Sequence, residues 1–279
     1  MRNFPSCMLT ALLVLMACNR AGPPSGSSDF IPDPVTSSAE EDALEVIYSL
    51  SLPTDIIAIF EETGTGFNPE FTIPLDLISL YEDPGQMALL LGALGVDLSY
   101  CKLFERTTES GDIYKNMDLL AYNLDLPRDI FDKSSTELEW YVNKPDSLSA
   151  LIDEIYGEVD AWFREQDQES LASLTLLGGW LEAMYIGVRI YQDKSVLDMG
   201  DRIMQQKFTL NSLAGLLSNY QESLEIRSYI HLLSNLKNAY DSVEIKVSGE
   251  DTITNIRYEA GTLDEVCRLI IQMRDGVIT

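Results

Sequence analysis

The amino-acid sequence predicts an all-α protein, a single bundle of about ten helices with at most a small C-terminal hairpin. Two long stretches, residues 87–104 and 170–191, are apolar enough to form helices that are buried on nearly every side. Elsewhere apolar residues recur every three or four positions, which is the helical period. Strand-like alternation of polar and apolar residues is confined to 244–258.

The two apolar stretches are the expected centre of the fold, and they resemble each other. Each carries small residues upstream of an acid and a tyrosine three residues after that acid, Asp97 with Tyr100 and Glu182 with Tyr185. This likeness suggests two pseudo-repeated halves around two buried, glycine-containing helices. Each glycine destabilises a helix by about 1 kcal/mol relative to alanine, so we expect close helix packing or room for a ligand where they occur. The glycines concerned are Gly92, Gly95, Gly178, Gly179 and Gly187.

Helix starts and stops place the elements of the first half. Serines followed by glutamates predict a helix over 38–50, and a second short helix covers 54–64. A loop over 65–74 leads to a short helix at 75–83. Asp83 followed by Pro84 is typical of a helix start, and the first apolar helix continues to about residue 106. An amphipathic helix follows over 113–126, and another is predicted over 128–142.

The second half begins at a turn around Pro145. An amphipathic helix is expected to continue from it to about 166, and the second apolar helix occupies 168–192. Three more helices are predicted over 195–206, 210–220 and 222–243. Residues 244–258 form a small hairpin or an extended loop, and a last helix starts at Thr262 and ends at Gly276.

The N-terminus carries the most specific motif. Arg2 precedes an apolar run over 8–16, and Leu15-Met16-Ala17-Cys18 follows. This sequence resembles the lipobox of a bacterial lipoprotein, although Met16 stands where a small residue is more usual. The resemblance implies cleavage before Cys18 and attachment of diacylglycerol to its sulfur. A nine-residue apolar run is also too short to span a bilayer.

These features divide the chain into three parts. Residues 1–17 are the expected lipoprotein signal peptide, 18–37 are a flexible tether rich in Pro, Gly and Ser, and 38–279 are the all-helical domain. The expected partner at the N-terminus is a membrane, reached through the lipid. The expected location is the bacterial cell envelope, at the outer membrane.

Composition restricts the remaining function classes. The chain has 45 acidic and 19 basic residues, a net charge of -26, which repels nucleic acid and attracts cations or basic partners. His231 is the single histidine, and no Cys-x-x-Cys, Gly-x-Ser-x-Gly, calcium-loop or dinucleotide motif occurs. We therefore expect no cofactor and no metal. After removal of Cys7 and lipidation of Cys18, Cys101 and Cys267 remain, either paired or free.

The candidate site consists of the acids of the two apolar helices and their neighbours. A buried carboxylate needs a partner, which for Glu182 is either Arg189 or an arginine from another helix. In the functional interpretation Asp97, Tyr100, Glu182, Tyr185 and Arg189 line one acidic and aromatic cavity. In the structural interpretation the acids are buried ties that fix the register of the helices.

The motifs GVDLSY and GGWLEAMY, the turn NKPDSL, the lipobox and the acidic helical body together resemble a family of uncharacterised bacterial all-helical lipoproteins. The resemblance supports the fold class and implies no site residue. The leading hypothesis is a non-enzymatic lipid-anchored envelope protein that binds a ligand or protein partner near the membrane. The alternatives are a binding protein for a cationic small molecule or metal ion in the interhelical cavity, and a hydrolase that uses Asp97 and Glu182.

Overall fold

Helices dominate the computed structural model, which describes residues 66–131, 145–194, 197–248 and 252–278. Within them, 80% of the chain is helical and a two-stranded sheet is present. The helices are α1 (Pro84–Leu103), α2 (Thr107–Asn123), α3 (Arg128–Phe131), α4 (Pro145–Glu165), α5 (Glu169–Lys194), α6 (Leu197–Gln205), α7 (Lys207–Ser218), α8 (Leu224–Tyr240) and α9 (Ala260–Ile278). Strands β1 (Glu244–Ser248) and β2 (Thr252–Arg257) form an antiparallel pair with an irregularity between Lys246 and Val247.

Local chemistry explains where several helices begin and end. The Asp83 side chain accepts a hydrogen bond of 2.9 Å from the Gln86 N–H, and Pro84 occupies the first turn. The connections after α1, α2 and α4 each use an acidic residue with a positive φ of 54° to 56°. In each, the next N–H bonds to the carbonyl five residues earlier, the pattern of a Schellman-type helix end. These left-handed residues are Glu105, Asp125 and Asp167.

The two apolar helices, α1 and α5, pack side by side in backbone contact, so close helix packing is the expectation that holds at Gly92 and Gly178. A Cβ built on Gly178 would lie 1.9 Å from the Leu89 carbonyl oxygen, and one on Gly92 would lie 1.9 Å from the Thr175 carbonyl oxygen. Only glycine allows helices to approach so closely. Helix α5 is long and apolar enough to cross a membrane by length and composition, but 94% of its apolar window is buried in the protein. A core helix has the same properties.

Helices α2, α4, α6, α7 and α9 pack against this pair. Helix α4 contributes the Tyr156 hydroxyl, which donates a hydrogen bond to the Gly92 carbonyl and occupies the space that a Cβ on Gly95 would need. Helix α9 packs against α5 and α8. The fully buried Tyr240 of α8 donates a 2.7 Å hydrogen bond to the Ile203 carbonyl of α6. Trp180 of α5 is buried in the core.

Residues 66–83, which we call the 66–83 segment, lie over one face of the central helices. The segment contains two 3-10 helices, Pro69–Phe71 and Leu75–Leu80. Its apolar side chains Phe71, Ile73 and Ile78 are 3%, 3% and 1% exposed. The segment therefore belongs to the core despite its irregular backbone.

The structure confirms the all-α class and the small hairpin. It also buries the apolar residues that recur at helical spacing in α2 and α8. Several details of the prediction were wrong. Helix α2 covers Thr107–Asn123 and not 113–126, residues 75–80 form a 3-10 helix, and a 3-10 turn interrupts the predicted loop. Helix α9 begins at Ala260, before the predicted start at Thr262, and continues through Gly276 to Ile278. The predicted helices at 38–50 and 54–64, the signal peptide, the tether, and residues 132–144 lie outside the described residues.

Candidate functional site

The acids of the two central helices meet in the interior of the protein. Asp97 on α1 is 0% exposed and Glu182 on α5 is 1% exposed. Their carboxyl groups lie within hydrogen-bonding reach of each other. Both side chains therefore point inward, and the packing of α1 on α5 is what brings them together.

The partner of Glu182 is Arg274, which comes from the last helix and is 6% exposed. Its Nε donates to Glu182 Oε2 at 3.2 Å and its Nη2 donates to Oε1 at 3.1 Å. This bidentate pair is the geometry in which a guanidinium and a carboxylate bind most strongly. Of the two predicted partners, the arginine from another helix is the one observed.

Asp97 has a different partner, the backbone of the 66–83 segment. Its Oδ2 accepts a 2.8 Å hydrogen bond from the Ile73 N–H, whereas its Oδ1 is buried and accepts none. We name the group formed by Asp97, Glu182 and Arg274 the buried triad. It joins α1, α5, α9 and the 66–83 segment at one point.

The aromatic candidates occupy the edges of the triad. The Arg274 guanidinium lies 4.3 Å from the centre of the Tyr185 ring, close enough for a cation–π interaction. Arg189 does not pair with Glu182; its guanidinium lies 5.8 Å from the Tyr185 ring centre and 5.6 Å from that of Phe71. The Tyr100 hydroxyl accepts a 3.1 Å hydrogen bond from the Asn68 N–H. The structure thus gathers Asp97, Glu182 and Tyr185 around Arg274.

Burial and mutual charge determine the protonation of these groups. Burial raises the pKa of Asp97 well above its ordinary value, and the Glu182 carboxylate raises it further against the opposing Ile73 N–H and Arg274. Burial also raises the pKa of Glu182, although Arg274 opposes this. Burial would lower the pKa of Arg274, but Glu182 outweighs it and the net shift is upward. Arg274 therefore stays charged.

A separate cavity of about 290 Å³ lies between the end of α5 and α9. It was not predicted from the sequence, because its lining comes from helix surfaces that only tertiary packing brings together. It is lined by Tyr191, Gln192, Asp264, Cys267, Arg268, Ile271 and Gln272. None of the five candidate residues contributes to it.

The two cysteines of the described residues, Cys101 and Cys267, are free and buried. Burial, as the main cause, raises the pKa of each thiol to about 12. At pH 8 the thiolate fraction would be about one part in ten thousand, and only the thiolate reacts with alkylating reagents.

We therefore expect iodoacetamide at pH 8 to leave Cys101 and Cys267 unmodified in the folded protein. Peptide mass mapping checks this, and the same treatment in denaturant, where both should be labelled, is the control. Rapid labelling of Cys267 without denaturant would contradict the burial of this thiol.

Within the described residues, no group of three or more His, Cys, Asp and Glu side chains could hold a metal ion. His231 is exposed on α8. Glu182 has both oxygens bound to Arg274, and Asp97 has no contact with solvent. The arrangement can hold a proton and tie four elements together, but it offers a substrate no entry.

Fold and site together define an all-α protein whose two central helices touch at their glycines. These helices carry a buried pair of carboxyl groups, which share one arginine as their positive charge. Comparisons with protein-family models, with curated proteins and with solved structures find no significant match for this chain.

Proposed function

We propose that this chain is a non-enzymatic, lipid-anchored protein of the bacterial cell envelope, which holds an all-helical domain near the membrane to bind a ligand or protein partner. The observation that carries the proposal is Leu15-Met16-Ala17-Cys18 directly after an apolar run and a basic residue. The likeness to bacterial helical lipoproteins points the same way.

The charge of the chain supports a lipid rather than an electrostatic attachment. A net charge of -26 repels anionic headgroups, so the protein surface would not by itself hold the domain at a membrane. Stable anchoring takes more than one acyl chain, and the diacylglycerol expected on Cys18 supplies two. The same charge favours a basic protein or a cationic ligand as partner.

The geometry of the buried triad supports a non-enzymatic function. A hydrolase that uses two carboxyl groups needs room between them for substrate and water. Asp97 and Glu182 are 0% and 1% exposed, and both oxygens of Glu182 are bound to Arg274. No observation among the described residues favours the hydrolase or the interhelical cation site, so we propose neither.

Replacement of the cysteine tests the anchor. We expect the wild type, expressed from the full-length sequence in a bacterial host, to be cleaved before Cys18 and to partition into the detergent phase of Triton X-114. Cys18→Ser should stay uncleaved and lose the mass of the lipid, because serine lacks the thiol that is modified. Mass spectrometry of the N-terminal peptide measures both changes.

Cys7→Ser is the matched control, since Cys7 lies inside the expected signal peptide and should leave the mature protein unchanged. If wild type and Cys18→Ser carried the same N-terminal peptide without lipid, the proposed anchoring would be refuted.

A further inference from the structure

We infer that Asp97 and Glu182 form a one-proton site, in which Oδ1 of Asp97 carries a proton and donates it in a hydrogen bond to the Glu182 carboxylate. This inference goes beyond the proposed function and does not depend on it. It starts from an oxygen atom, Asp97 Oδ1, that is buried without a hydrogen-bond donor although its own carboxyl group lies beside another.

Hydrogen-bond capacity places the proton on Asp97. Two ionised carboxylates are both acceptors and cannot bond to each other. Both oxygens of Glu182 already accept from Arg274, and Oδ2 of Asp97 accepts from the Ile73 N–H. Oδ1 is the position left, and protonation turns it from an unsatisfied acceptor into a donor.

The charges give the same answer. The buried triad contains two carboxyl groups and one guanidinium, so a single proton makes it neutral and loss of that proton leaves one net negative charge in the interior. An unpaired buried charge is strongly unfavourable. Burial and the neighbouring Glu182 accordingly raise the pKa of Asp97.

The tyrosine and cysteine side chains near the pair do not titrate in the same range. Burial raises the pKa of Tyr100 and of the Cys101 thiol to about 12, and it also raises the pKa of Tyr81 and Tyr185. They therefore stay neutral while a carboxyl group ionises. The titratable and charged groups that face the triad among the described residues are Tyr100 and Cys101 of α1, Tyr81 of the 66–83 segment, Tyr185 and Arg189 of α5, and Asp275 of α9.

The site makes the stability of the fold fall as the pH rises above the ordinary aspartate value. Because the pKa of Asp97 is raised on folding, the native protein holds a proton that the unfolded chain has lost, between the ordinary aspartate value of about 4 and the raised native value. Stability linked to this site is therefore full below the ordinary value and falls as the pH rises through that window. Loss of the proton would weaken the junction between α1, α5 and the 66–83 segment.

The test compares the full chain with Asp97→Asn, a variant that imitates the protonated acid. The asparagine oxygen still accepts from the Ile73 N–H, and its amide group donates permanently to Glu182. We expect the ratio of the wild-type to the variant unfolding constant, from urea titrations at several pH values, to rise up to tenfold per pH unit above about pH 4. Both proteins contain the same other acids, so the ratio cancels the pH dependence of stability that those acids cause.

Glu265→Gln is the matched control. Glu265 forms a bidentate pair with Arg268 on the surface of α9, and hydrogen bonding from Arg268 lowers its pKa. The ratio of wild-type to control unfolding constants should therefore change little with pH, and any change should be a fall as the pH rises. A ratio to Asp97→Asn that stayed constant across the pH series would overturn the inference.

Infrared spectroscopy of the wild type gives a reading that does not depend on the variant being folded. As the pH is raised from about 4, the ordinary aspartate value, we expect the carbonyl band of one protonated carboxylic acid to persist after the other acids have ionised. Selective ¹³C labelling of aspartate should shift that band. A folded protein with no such band, or with one that aspartate labelling leaves in place, would place the proton elsewhere and refute the assignment.

Discussion

Replacing Glu182 with Gln should destabilise the protein by about 3 kcal/mol, because Arg274 would then lie in the interior without its bidentate anion. The pair is 1% and 6% exposed, and its two hydrogen bonds are 3.1 and 3.2 Å long. Breaking one side of a buried ion pair leaves the other charge without compensation. Urea titration at neutral pH measures the change as a shift in the midpoint of unfolding.

Asp97 determines how much stability is lost in Glu182→Gln. In Glu182→Gln, Asp97 can lose its proton and face Arg274, which recovers part of the loss. In the double variant Asp97→Asn with Glu182→Gln no acid of the triad remains, and we expect a loss of about 5 kcal/mol, near the upper end for a broken buried pair. The two substitutions should therefore be non-additive in a double-mutant cycle.

The surface pair formed by Arg268 and Glu265 is again the control. It joins the same two residue types, and both residues lie on α9, the helix that carries Arg274. Glu265→Gln should leave the midpoint nearly unchanged, because exposed ion pairs contribute little. Equal losses for Glu182→Gln and Glu265→Gln would show that burial of the Arg274 pair is not what stabilises it.

The central acids could be predicted from the sequence because each stands alone in an apolar helix. Asp97 and Glu182 break stretches that are otherwise buried on all sides, so each had to find a partner in the interior. Their adjacency follows from the close packing of the two glycine-containing helices. The likeness between the two stretches was therefore a guide to the position of the site.

Arg274 was missed, although the sequence carries a signal for it. In α9 the buried positions Cys267, Ile270 and Val277 follow a three-four spacing, and Arg274 occupies the missing position of that stripe. A lone arginine on a buried helical stripe needs an anion, just as a lone acid needs a cation. The same reasoning that singled out Glu182 would have singled out its partner.

No pattern in the sequence indicated that the Ile73 N–H would bind Asp97. Residues 66–83 are rich in loop formers such as Asn68, Pro69 and Pro74, and the sequence predicted a loop and one short α-helix there. The segment instead forms two 3-10 helices whose apolar side chains are buried. Tertiary packing against the central helices determines this backbone, so local patterns could not show which N–H would meet Asp97.

Replacing Gly178 with Ala should destabilise the protein by about 3 kcal/mol, because the new methyl group would collide with the backbone of α1. Its Cβ would lie 1.9 Å from the Leu89 carbonyl oxygen and 3.0 Å from the Leu89 Cα. A backbone carbonyl within a helix cannot rotate away as a side chain can. Helices α1 and α5 would have to separate, and they would lose dispersion contacts along their whole interface.

Gly179, the next residue of α5, provides the matched control. A Cβ there would lie 3.5 Å from the Gly92 carbonyl oxygen and 3.7 Å from the Tyr156 hydroxyl, which are ordinary contacts. Gly179→Ala should therefore be neutral or stabilise the protein by up to about 1 kcal/mol, the helix propensity gained over glycine. Urea titration of both variants measures the difference.

The contrast between two adjacent glycines separates close packing from helix propensity. Propensity predicts the same gain at 178 and 179, whereas backbone contact predicts opposite signs. Since Asp97 and Glu182 meet only where α1 and α5 touch, Gly178→Ala should also shift the acid carbonyl band of Asp97 in the infrared spectrum. If both alanine variants were as stable as the wild type, the central helices could not be in backbone contact at Leu89, and the closeness of the carboxyl pair would lose its structural basis.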